Sequence, residues 1–118
     1  MAISYFLPRL VGAAHAAELL YTGRLVDGEE AARLGILGHV VAADEVLATA
    51  RALATEIATS APLAVRSTKA ALRAGVAGEA RAAARAEAAA QAATLVTADA
   101  SEGVAALLAK RPPRFTGT

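Results

Sequence analysis

The sequence predicts a mainly α-helical chain of about six helices with one short strand, and three observations carry that prediction. Alanine, the strongest helix former, makes up nearly a third of the 118 residues. Apolar side chains recur at helical spacing through most of the chain. Glycine, proline and capping residues divide it at intervals suited to short helices. No linker or internal repeat interrupts the pattern, so residues 1–118 read as a single unit.

The first helix is predicted over residues 8–21, where Leu10, Val11, Ala14, Ala17, Glu18 and Tyr21 share helical spacing and Pro8 suits a first turn. Gly23 ends it. Asp27, with Glu30 three residues on, reads as a capping box for a short helix through Leu34, which Gly35 stops. Residues 36–41 are rich in β-branched side chains and read as a short strand or an extended connector. An amphipathic helix follows over 44–59, with Val46, Leu47, Leu53 and Ile57 on one face. Ser60 is expected to cap the next helix, which starts at Pro62, carries Leu63, Val65 and Leu72, and ends near Gly75. Gly78 then separates it from an alanine-rich helix over 79–96, whose only large apolar residues are Leu95 and Val96. Asp99 with Glu102 reads as a second capping box, opening a helix through Lys110, and Pro112 and Pro113 force an extended tail.

The hydrophobic fraction of 56% overstates the core, because alanine offers little area to bury. Aromatic residues are limited to Tyr5, Phe6, Tyr21 and Phe115. Such a chain gains by packing against something else, and an oligomer is expected. A net charge of +1 argues against a general nucleic-acid surface. The absence of cysteine excludes disulfides, thiolate nucleophiles and cysteine-based zinc sites. No apolar run reaches membrane-spanning length and no secretory leader pattern is visible, so a cytoplasmic protein is expected.

In order and spacing, several short motifs resemble the C-terminal portion of the enoyl-CoA hydratase/isomerase (crotonase) family. They begin with Leu7-Pro8-Arg9-Leu10-Val11-Gly12, then Thr22-Gly23-Arg24, Glu29-Glu30-Ala31 with Gly35-Ile36-Leu37, and Val40-Val41. Ser60-Ala61-Pro62-Leu63-Ala64-Val65 follows with Lys69. The series closes with Asp99, Glu102-Gly103 and Lys110-Arg111-Pro112-Pro113-Arg114-Phe115, followed by Gly117. The resemblance implies acyl-CoA thioester chemistry and fatty-acid metabolism, carried out in that family by two glutamates and a pair of oxyanion-binding N–H groups on a ββα spiral. It also implies that the C-terminal helices cover the site and mediate trimers. Those catalytic groups precede the matched region, and Met1-Ala2-Ile3-Ser4-Tyr5-Phe6 stands where the family is glycine-rich. A truncated chain, inactive alone, is therefore expected, with catalysis needing a missing N-terminal half. A non-enzymatic helical interaction module and a degraded gene product also fit the residues.

No catalytic residue is assigned within the chain. Glu29/Glu30 and Asp44/Glu45 sit at helix N-termini, where capping and the helix dipole account for them. His15 and His39 lack a third ligand, so no metal site is expected. The tail is the best binding candidate. Lys110, Arg111 and Arg114 place three cations within five residues, beside two prolines and Phe115. Such a group suits phosphates and an adenine ring, though cations at a helix C-terminus also suit a solvated basic end. The resemblance implies that Lys110 reaches the nucleotide part of coenzyme A, with Arg111, Phe115 and Lys69 as weaker contacts. Gln91 and Leu107 replace aromatic residues common in the family.

Overall fold

The computed structural model describes residues 2–118 and contains six helices: α1 (Ile3–Thr22), α2 (Gly28–Arg33), α3 (Val46–Ala58), α4 (Pro62–Arg73), α5 (Val76–Thr94) and α6 (Ala98–Leu108). The mainly helical class is as the alanine content and periodicity predict. Among the described residues there is no strand. Residues 36–41 form the extended connector between α2 and α3, since a lone β-branched stretch has no second strand to pair with.

α1 begins five residues earlier than Pro8, at Ile3. Two contacts hold that extra turn in place. The Tyr5 ring is buried and lies 3.7 Å beneath the Arg9 guanidinium. The carboxylate of Glu87, from α5, accepts N–H groups at the helix start. Within α1, Gly12 adopts φ 79° and ψ 161°, a region closed to other residues, and the helix kinks there.

The other boundaries differ from expectation by local chemistry. Ala61, not Ser60, flanks α4, because a residue preceding proline is driven out of the helical region. Gly75, not Gly78, separates α4 from α5, since its φ of 78° cannot continue a helix. Gly78 lies inside α5, tolerated by the surrounding alanines at about 1 kcal/mol. Thr97 caps α6 by accepting the Ala100 N–H at 3.1 Å, leaving Asp99 and Glu102 free for another role. At α2 the expected Asp27 cap is present, accepting the Glu30 N–H at 2.8 Å. Glu30 does not return the bond, because its carboxylate is held by Arg24 through two contacts of 2.9 Å.

The core is small. Leu7, Val11, Ala16 and Leu19 of α1 pack with Val26, Leu34 and Ile36 from the α2 region. α3, α4 and α5 contain no buried residue. The radius of gyration is 19.4 Å, against about 13.5 Å for a compact domain of this length. The accessible surface is 9228 Å², against about 5,900 Å² for a compact chain of similar mass. Among the described residues, no helix is long and apolar enough to cross a membrane.

Candidate functional site

The C-terminal tail is fastened to α6 by two acids that share a helix face at a spacing of three residues. Glu102 accepts from Arg111 Nη1 at 2.6 Å and Nη2 at 2.8 Å, and from the Arg114 N–H at 2.8 Å. Asp99 accepts the Thr116 and Gly117 N–H groups, each at 2.7 Å. Its own N–H donates to the Thr118 carbonyl at 3.0 Å. Glu102 thus holds the tail on both sides of Pro112-Pro113, and Asp99 holds it further on, so that it folds back along the helix. Together with Ala98, Arg111, Arg114 and Thr116 the two acids line an open cleft.

These contacts set the acids' protonation. The Arg111 guanidinium, followed by the Arg114 N–H, holds the Glu102 carboxyl down to about 2. The Thr116 and Gly117 N–H groups hold Asp99 below the usual carboxylate range. Because both values are depressed in the folded chain, the clasp contributes fully above the ordinary glutamate value of 4.5 and weakens as pH falls through about 2. The Arg114, Thr116 and Gly117 amide resonances are therefore expected to move towards random-coil positions across that acid range. Flat shifts there would show that the tail is held by something else.

The helix ahead of the tail ends in an unusual way. Lys110 takes φ 49°, in the left-handed region. Its N–H donates to the Leu107 carbonyl at 3.2 Å and the Arg111 N–H to the Ala106 carbonyl at 3.0 Å. This is the two-bond helix terminus in which glycine usually fills the left-handed position. A side chain there carries a backbone penalty of roughly 1–2 kcal/mol. Among the described residues the Lys110 ammonium has no ion-pair or hydrogen-bond partner. The neighbouring Arg111 is held by Glu102 through both Nη atoms.

The sequence-predicted residues are only partly brought together. Lys110, Arg111 and Phe115 lie on one unit, α6 with its tail. Phe115 rests against α6 where Gly103 has no side chain, a Cβ there falling 3.6 Å from the ring. Lys69 lies elsewhere, in a groove between α3 and α4 lined by Ile57, Val65 and Leu72. His15 and His39 are exposed on separate elements. Among the described residues, no three histidine or acidic side chains converge on a point.

Glu87 is a structurally important acid that sequence reasoning passes over. It accepts the Ala2 and Ser4 N–H groups and the Ser4 hydroxyl. The hydroxyl first, then the Ser4 N–H, keep its carboxyl below the usual range. Its one local signal is an isolated carboxylate within an alanine tract, which says nothing about a partner 83 residues away in sequence.

The fold and site define a helical layer with little core, a clasped basic tail and broad uncovered apolar faces. The family model for enoyl-CoA hydratase/isomerase matches residues 1–118, and the chain belongs to that family. It is 42% identical over 115 residues to the mitochondrial enoyl-CoA hydratase domain-containing protein 2 of Bos taurus, covering 94% of this chain and 39% of that protein. The human protein of the same name gives the same identity and coverage. Among solved structures, an enoyl-CoA hydratase/isomerase from Pseudoalteromonas atlantica superposes with a TM-score of 0.83 at 34% identity, covering 98% of this chain and 46% of that one. An enoyl-CoA hydratase from Bacillus anthracis gives 0.60 at 33% identity, over 99% and 45%. The chain thus spans less than half the length of these relatives.

Proposed function

We propose that this chain is the C-terminal helical cover of an enoyl-CoA hydratase/isomerase assembly, contributing a coenzyme A contact and subunit packing but not the catalytic acids. The supporting observation is surface. The excess over a compact chain is about 3,300 Å², more than the roughly 1,000–2,500 Å² that each partner of an obligate interface usually buries. Much of it is apolar, with Leu63, Leu72, Leu107 and Leu108 all more than three-quarters exposed. Copies of this chain, arranged as trimers or together with the family's N-terminal spiral, would cover those faces.

In this reading the Lys110 ammonium meets a phosphate of the nucleotide portion, and Phe115 offers a face for the adenine. Arg111 serves the tail rather than the ligand, because Glu102 already occupies it. The family's hydration step adds water across a double bond conjugated to a thioester. It requires acid–base groups and oxyanion donors that none of the tail residues supplies.

The test is hydration of crotonyl-CoA by the purified chain, followed by loss of absorbance from the conjugated thioester. No turnover above buffer is expected. Turnover that persists through repurification would place the chemistry inside these residues and overturn the proposal.

A further inference from the structure

Two adjacent cations in the tail have opposite fates. Arg111 is neutralised by Glu102 through a bidentate pair. Lys110 is left uncommitted, in a backbone conformation that favours glycine. A basic end that served only for solvation would not need a lysine there, since glycine would fit the turn better. Strain of this kind persists where the surroundings over-determine it, and here two sets of bonds do so. Arg111 follows Lys110 directly, so fixing its guanidinium on α6 fixes the peptide leaving Lys110. The Arg114 N–H, on the same Glu102 carboxylate, holds the far side of the two prolines. The lysine Cα is therefore tied on one side by the helix terminus and on the other by the clasp.

We infer that Glu102 is a positioning residue for the Lys110 ammonium: by gripping Arg111 and the Arg114 N–H it fixes the left-handed turn from which the lysine projects towards a phosphate-bearing ligand. This rests on the reading of Lys110 as a coenzyme A contact. It adds that the contact is pre-organised from α6 and that Arg111 acts through the turn rather than on the ligand. Pre-organisation lowers the ordering cost of binding for a long, flexible side chain.

The experiment is a double-mutant cycle read by calorimetric titration of free coenzyme A into the full chain and its Lys110→Gly, Glu102→Gln and doubly substituted forms. Glycine removes the ammonium while keeping the turn, so Lys110→Gly should fold at least as well as the parent and bind about tenfold more weakly. Glu102→Gln should also weaken binding, and the double variant should bind no more weakly than Lys110→Gly alone. A Glu102→Gln loss that persists in full on the glycine background would give Glu102 a general structural role and overturn the inference. So would a Glu102→Gln form that binds like the parent while Lys110→Gly does not. Unchanged binding by Lys110→Gly would overturn the reading of Lys110 itself, and the inference with it.

Discussion

Leu19→Ala is expected to destabilise the chain by about 2–4 kcal/mol, the range for removing a large buried side chain where the surroundings relax only partly. The effect should be large relative to the whole. Leu19 is one of three large residues in a core cluster completed by Ala16, and typical domains have only about 5–15 kcal/mol in total. α3, α4 and α5 bury nothing that could compensate. Leu19 also precedes the helix end, where the Gly23 N–H returns to its carbonyl at 3.0 Å. Losing its packing therefore loosens the turn that leads into α2. Urea unfolding followed by far-ultraviolet circular dichroism would measure the loss. Leu25→Ala is the control: Leu25 is 95% exposed, and such a change should stay within about 0.5 kcal/mol. Equal midpoints for Leu19→Ala and the parent would mean that the α1–α2 core does not hold the chain together.

The contrast between local and tertiary signals explains what was legible in the sequence. The helices could be read because propensity, spacing and breakers act within a few residues. The boundaries that moved did so for reasons that are also local but finer, such as the proline effect on Ala61 or the preference for Thr97 over Asp99 as a cap. The family could be read from the order of its motifs. The clasp could not. Asp99 and Glu102 have the spacing of a capping pair, and only the return of the tail shows that their partners are Arg111, Arg114, Thr116 and Gly117. Resemblance singles out Lys110, but nothing in the sequence signals its left-handed backbone, since lysine has no preference for that region. The two prolines looked sufficient to end the helix. In the structure the helix has already ended ahead of them, through the bonds to Leu107 and Ala106.

A double substitution on the uncovered face, Ile57→Asp with Leu72→Asp, is expected to leave helix content unchanged and abolish association. Both side chains line the groove between α3 and α4. Leu72 is 76% exposed and Ile57 48%, and neither belongs to the buried core of a single copy. Fully burying a leucine or isoleucine contributes about 1.5–3 kcal/mol. An aspartate in the same contact would also lose hydration without a partner. Even the lower value, scaled to the surface each side chain still exposes, weakens association more than about tenfold. Lys69 and Arg73 rim the groove, so a new carboxylate could be drawn to them at the edge, which keeps the variant soluble without restoring an apolar contact. Sedimentation velocity at micromolar concentration should give an oligomer for the parent and a monomer for the variant. A parent that sediments as a monomer would remove the argument for self-association. A variant that stays oligomeric would move the interface elsewhere, with the exposed Leu107 and Leu108 of α6 the next face to substitute.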